Sequence, residues 1–82
     1  MNYEAVFSLD AVEDVLRITM ASQSKAVVLK ASKQTKDVLT DDPADAEHLS
    51  EGSYFIDREP LGVFYTIDTS NMTVEVVNVK TV

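Results

Sequence analysis

Apolar positions recur along this chain with two different periods, and the change of period divides it into a helical part and a sheet part. Residues 2–7, Asn-Tyr-Glu-Ala-Val-Phe, alternate and place Tyr3, Ala5 and Phe7 on one face of a predicted first strand. Ser8 is suited to cap a helix, and Asp10, Glu13 and Asp14 suit its positive N-terminal end. Over residues 9–20, helical spacing puts Leu9, Val12, Val15, Leu16, Thr19 and Met20 on one stripe, with Glu13 and Arg17 paired on the other side. After a Ser22-Gln23-Ser24 turn, a second helix is predicted over 25–39. Val27, Val28, Ala31, Val38 and Leu39 share one arc of it with Gln34 and Thr35, while Lys25, Lys30, Lys33 and Lys36 share the opposite arc. Leu29 falls among the lysines. The two segments predict a helical hairpin with an apolar inner seam, in which Val12 and Leu16 meet the second helix.

Asp41-Asp42-Pro43 ends the second helix, because proline cannot continue it and biases its predecessor away from helical geometry. Residues 41–52 are polar, with Leu49 as their one expected buried anchor. Beyond Gly52 the period becomes that of strands. Tyr54-Phe55-Ile56 is a second strand, and Leu61 to Ile67 is a third, apolar on both faces and therefore expected to be central and covered. Thr69-Ser70-Asn71 is a hairpin turn, and Thr73 to Val79 a last strand rich in β-branched residues. The expected architecture is α+β in the order β-α-α-β-β-β. Three or four antiparallel strands form the sheet, with the hairpin on one face and Val63 and Val76 in the core.

Eighty-two residues suffice for one domain spanning 1–82. Without cysteine, disulfides and thiolate metal sites are excluded, and a reducing compartment is the expected home. No apolar run approaches the ~20 residues of a membrane span. Met1-Asn2-Tyr3-Glu4 lacks the basic start of a signal peptide, so a cytoplasmic protein is expected. The net charge of −7 changes the picture more, because it is unevenly placed. Residues 1–40 hold five acids and five bases, whereas residues 41–82 hold nine acids against Arg58 and Lys80. Binding to phosphate backbones is driven mainly by lysine and arginine, so this distribution opposes a nucleic-acid partner.

Candidate chemistry is sparse. Asp41, Asp42, Asp45, Glu47 and Glu51 supply oxygen ligands for a hard cation, but without the spacing or mid-loop glycine of a calcium loop. They read as a solvated loop. The single histidine, His48, has no second histidine, cysteine or serine–aspartate pair near it in sequence and reads as a surface residue. Tyr54, Phe55, Phe64 and Tyr65 could stack on bases, yet at strand spacing they read as core or half-buried residues. Asp57, Arg58 and Glu59 read as a charged strand end with local ion pairs, which contribute little when exposed. No metal, cofactor or catalytic residue is assigned. The lysine arc of Lys25, Lys30, Lys33 and Lys36 is the one candidate partner surface, for an acidic protein segment more than for RNA; as a bare feature it is also an ordinary solvated face.

Three stretches together resemble the RelE/ParE family of bacterial toxins, the plasmid-stabilisation group. Tyr3-Glu4-Ala5-Val6-Phe7-Ser8 followed by Ala11-Val12-Glu13-Asp14-Val15 is similar to the family's first strand and acidic helix start, and Asp42-Pro43 to the pair that closes its second helix. Pro60 to Asp68 and Thr73 to Val79 are similar to its paired strands, "val-leu-tyr-x-ile-asp" turning back into "val-x-val-leu-x-val". In active relatives an arginine usually precedes the "val-leu-tyr" run, where this chain has Gly62. A "gly-his-arg" tail usually follows the last strand, and the aligned residues are Lys80-Thr81-Val82. The resemblance thus implies the fold and an antitoxin-like protein or peptide as partner, with a homodimer compatible. It also implies loss of the groups that move protons and hold phosphate charge in ribosome-dependent mRNA cleavage. The expected function is a toxin-like module of a type II toxin–antitoxin system, without ribonuclease activity, acting through protein contact. The alternatives are an active toxin, either an mRNA interferase or a gyrase inhibitor of the ParE kind, and a structural or dimerisation domain.

Overall fold

The computed structural model of the protein describes residues 3–44, 46–50 and 52–82. Strand β1 (Glu4–Phe7) leads into helix α1 (Leu9–Ala21) and helix α2 (Lys25–Asp41), followed by β2 (Glu47–Ser50), β3 (Ser53–Arg58), β4 (Leu61–Asp68) and β5 (Thr73–Thr81). The strands form one sheet in the order β1-β5-β4-β3-β2, with both helices packed on the same face. The α+β class, the helical hairpin on one face and the central place of β4 all agree with the sequence pattern.

Two features of the sheet correct the expectation. It has five strands, because Glu47–Ser50 pairs antiparallel with β3 although all four of its residues are exposed. Edge pairing needs backbone hydrogen bonds but no apolar face, so hydrophobic alternation cannot reveal such a strand. Leu49 lies there about half exposed and anchors nothing. The sheet is also mixed. The β2–β3–β4–β5 meander is antiparallel throughout, but β5 ends beside β1 and runs parallel to it, with Ala5 opposite Val74 and Phe7 opposite Val76.

The core lies between the sheet and the hairpin. Ala5, Ile56, Leu61, Val63, Tyr65, Val74, Val76 and Val79 meet Ala11 of α1 and Val28, Ala31 and Leu39 of α2. Tyr3 and Phe7 pack against this cluster, as alternation in β1 predicts. In α2 the buried arc is Val28, Ala31, Thr35 and Leu39, and the Thr35 hydroxyl is satisfied by donating to the Ala31 carbonyl at 2.8 Å. Val27 is half exposed rather than part of that arc. Tyr65 is buried at the sheet centre, stacks on Tyr54 with centroids 5.7 Å apart, and donates its hydroxyl to the Pro43 carbonyl at 2.5 Å. That bond ties the chain just after α2 to the middle of the sheet.

Helix α1 is turned differently from the predicted seam. Its sheet-facing side is Ala11, fully buried, with the half-buried Val15 and Ile18. Leu9, Leu16 and Met20 are 73%, 57% and 77% exposed, and Val12 is also exposed. The cause is polar. Strand β1 pairs with β5 only through Val76, so the β5 edge beyond it has no strand neighbour. Ser8 donates its backbone N–H to the Val76 carbonyl and its hydroxyl to the Val77 carbonyl, at 2.9 and 3.1 Å. The same hydroxyl accepts the Ala11 N–H at 3.1 Å, which caps α1. Two turns on, Asp14 accepts the Val79 N–H at 3.0 Å and pairs with Arg17 at 2.6 Å, replacing the expected Glu13–Arg17 pair. The helix therefore sits with Asp14 against the sheet and its most apolar stripe outward.

Truncating Leu39 to alanine should cost about 2–5 kcal/mol, whereas Leu16→Ala should stay within about 0.5 kcal/mol, both read from denaturation midpoints. A large loss for Leu16→Ala would show that α1 is rotated the other way. Asp14 also gives a pH signature. The Val79 N–H, and next the Arg17 guanidinium, hold its carboxyl below the usual 3.8. A folded-state pKa below the unfolded one adds stability above the unfolded value, and that stability is lost as pH falls through the folded value. The stability gap between the protein and Asp14→Asn should therefore be full near neutrality and close as pH drops below about 4. A gap independent of pH would remove the charge from this account.

Candidate partner-binding site

The outward stripe of α1 begins at the end of β1 and repeats at helical spacing through Leu9, Val12, Leu16 and Met20. Isolated exposed leucines need no explanation, but four large apolar side chains in register on one helix form a contiguous patch. Beside it runs a groove of about 370 Å³, with Phe7 and Val15 contributing apolar walls, Val12 and Leu16 on the α1 rim, and Ser32 and Lys36 on the α2 rim. The small Ser32 side chain keeps the α2 wall low. Val12 and Leu16 thus stand beside α2 without being buried by it.

Lys25, Lys30, Lys33 and Lys36 are all exposed on α2, as the sequence arc predicts. The structure divides them in one respect: Lys36 lines the groove, and the other three do not. Among the described residues the one ion pair is Arg17–Asp14, so the four ammonium groups hold no carboxylate partner. The apolar half of this site escaped the sequence reading, which assigned Val12 and Leu16 to the hairpin seam. The available signal was Asp14, a carboxylate placed in line with Ala11 and Ile18, which only a hydrogen-bonding surface would accept.

Among the described residues no helix covers the other face of the sheet, so β4 is covered on one face and not on both as its apolar run predicts. Cross-strand partners share a face, so three rows place it: Glu47, Phe55, Phe64 and Asn78; Asp57, Gly62 and Lys80; Ser53, Thr66, Glu75 and Val6. A bulge at Val77 keeps the alternation in step. Gly62, where the family resemblance places an arginine, and Lys80, which opens the segment aligned with the "gly-his-arg" tail, are direct cross-strand neighbours here. A Cβ on Gly62 would lie 2.7 Å from the Val82 side chain and 2.9 Å from the Phe55 ring. Lys80 holds its Nζ 5.5 and 5.4 Å from the Phe55 and Phe64 ring centres, in cation–π contact with both. The face thus has a packed glycine where the resemblance places an arginine, and beside it a lysine resting on phenyl rings. His48 lies at the β2 edge against Tyr54, ring centres 4.9 Å apart, exposed as expected.

The remaining polar candidates do not converge. Asp68 accepts from Ser70, Asn71 and the Asn71 amide in the β4–β5 turn, and the Asn71 contacts hold its carboxyl below the usual range. Arg58 donates to the Asp57 carbonyl at 3.4 Å, and among the described residues it forms no ion pair at the strand end. Asp45 and Glu51 of the acidic stretch lie outside the described residues. Among the described residues, no three histidine, aspartate or glutamate side chains are placed to hold a metal ion, and no helix is long and apolar enough to cross a membrane.

No protein-family model matches the sequence, and no curated protein matches it either. Solved structures do match. A chain of the RelBE2 toxin–antitoxin complex from Mycobacterium tuberculosis superposes with a TM-score of 0.80 at 17% identity, covering 100% of both chains. The isolated E. coli RelE toxin gives 0.70 at 18% identity, over 96% of this chain and 83% of that one. The chromosomal ParDE system of P. aeruginosa gives 0.70 at 16% identity, over 98% and 96%. At these identities the likeness speaks for backbone architecture, and it extends over essentially the whole sheet and hairpin. The chain has the fold of the RelE/ParE toxins.

Proposed function

We propose that this protein is a toxin-like module of a toxin–antitoxin-type system that acts through protein contact and does not cleave RNA. One observation carries the reading: the most apolar side of α1 faces solvent, at the spacing an amphipathic partner segment matches. Folding alone does not account for that stripe, because exposing it forgoes the stabilisation its burial would give. Structures of the same fold include toxin–antitoxin complexes, which supports an antitoxin-like segment as the occupant. Lys36 on the groove rim, with Lys33 and Lys30 on the same arc, favours acidic residues at that segment's flank.

The absence of cleavage rests on the open sheet face. Phosphodiester cleavage on a ribosome needs a group to move a proton and cations to hold the developing charge. Among its described residues this face offers Lys80 alone as a cation and no histidine or arginine. A single domain over residues 1–82, working in the cytoplasm, belongs to the same proposal.

Two experiments test it. The product of the adjacent gene should co-purify with the protein, and Leu16→Glu should abolish that complex while leaving the thermal melt unchanged. Unaltered binding by Leu16→Glu would remove the α1 stripe as the docking surface. Expressed without that neighbour, the protein should leave mRNA intact. Gly62→Arg should not confer cleavage, since catalytic groups that act as a unit are strongly non-additive. The same substitution should lower stability by about 1–3 kcal/mol by displacing Phe55 and Val82. Translation-dependent cleavage by the unaltered protein, lost in Lys80→Ala, would overturn the silent-toxin reading.

A further inference from the structure

The open face of the sheet is charged against nucleic acid, and no described helix covers it. Glu4, Glu47, Asp57, Asp68 and Glu75 project from it by strand alternation, and Lys80 is the single ammonium among its described residues. The helical side differs, since its five acids (Asp10, Glu13, Asp14, Asp37, Asp41) and five bases (Arg17, Lys25, Lys30, Lys33, Lys36) cancel over residues 9–41. The molecule's excess negative charge is therefore concentrated on the sheet side and the loops around it.

A second feature of this face concerns what it accepts. Phe55 and Phe64 pack with ring centres 4.9 Å apart, and with Glu47, Leu49 and Lys80 they line a notch of about 200 Å³. The structure seats a cation over both rings, namely the Lys80 ammonium. Ring faces attract cations through their quadrupole, and a carboxylate on the same rim adds to that attraction. The notch thus has the chemistry to hold an ammonium or guanidinium group, and in this structure the flexible Lys80 side chain fills it.

We propose that the open sheet face docks a lysine- or arginine-rich segment of a partner protein, one cationic side chain entering the Phe55–Phe64 notch and others pairing with Glu47 and Glu75. The surface is distinct from the α1 stripe, and the inference stands whether or not that stripe binds an antitoxin-like segment. RNA is disfavoured because its phosphates would face the carboxylates, and a second copy because each chain carries a net charge of −7.

Lys80 makes the test discriminating, since it competes with a cationic ligand and would assist an anionic one. Binding of a labelled peptide of alternating arginine and serine is measured by fluorescence anisotropy at low salt, beside a single-stranded RNA oligonucleotide, with amide shifts recorded for each. The peptide should shift the amides of Glu47, Phe55, Phe64 and Lys80. Lys80→Ala should tighten peptide binding about two- to fivefold, and Glu47→Gln with Glu75→Gln should weaken it about tenfold, the scale of one or two partly screened ion pairs. Lys30→Glu with Lys33→Glu, on the far side, should leave the shift pattern in place. All of these substitutions are at exposed positions, and an unchanged melt confirms the fold in each. Peptide shifts spread evenly over every acidic residue, weaker peptide binding by Lys80→Ala, RNA bound in preference on the same amides, or concentration-dependent self-association through this face would each overturn the proposal.

Discussion

Strand β1 stops pairing with β5 at Val76, and the rest of the β5 edge is closed by side chains of α1. Ser8 fills three hydrogen-bonding roles at the junction, and Asp14 takes the Val79 N–H that a longer β1 would have bonded. An unpaired strand edge under a helix would leave buried backbone groups unsatisfied, at a cost comparable to a lost hydrogen bond for each. Once Asp14 is committed to the sheet, the rotation of α1 is fixed. Ala11 and Ile18 must then face inward, and Leu9, Val12, Leu16 and Met20 outward. The position of the candidate partner surface thus follows from a backbone donor on β5 rather than from the hydrophobicity of α1.

This dependence explains which parts of the architecture could be read from sequence. The sheet core was legible because Val74 and Val76 alternate with Thr73 and Glu75, and because the apolar run holding Val63 and Tyr65 marks a central strand. The ends of α1 and α2 were legible from Ser8 and from Asp42-Pro43, whose local chemistry is independent of the rest of the fold. The orientation of α1 was not, because an amphipathic stripe states only that something covers it. In this chain the sheet covers a narrow, partly polar side built on Ala11, and a periodicity argument ranks that side below the leucines. Strand β2 was hidden for a related reason, since backbone pairing at an edge leaves no hydrophobic signature.

The candidate site divides in the same way. The lysine arc of α2 was visible as four like charges at helical spacing, but the structure brings only Lys36 to the groove. Gly62 and Lys80 were singled out by resemblance, and the structure makes them cross-strand neighbours. A glycine at 62 leaves room for the Phe55 ring, and the rings in turn give the Lys80 ammonium its seat. An arginine at 62 would require the Phe55 and Val82 side chains to shift, which disturbs the aromatic notch. The chain thus has the fold of the RelE/ParE toxins with an open sheet face on which, among the described residues, Lys80 is the single ammonium among several carboxylates.

The rotation of α1 can be tested directly because the chain contains no cysteine. Single cysteines introduced at positions 16 and 18 report their own burial through the rate of thiol labelling in the native protein. The account predicts that Leu16→Cys labels nearly as fast as in denaturant and that Ile18→Cys is protected by at least about tenfold, since it labels mainly through local opening. Equal rates, or protection at position 16 with rapid labelling at 18, would contradict the hand-over of the β5 edge to Asp14 and the outward stripe that follows from it.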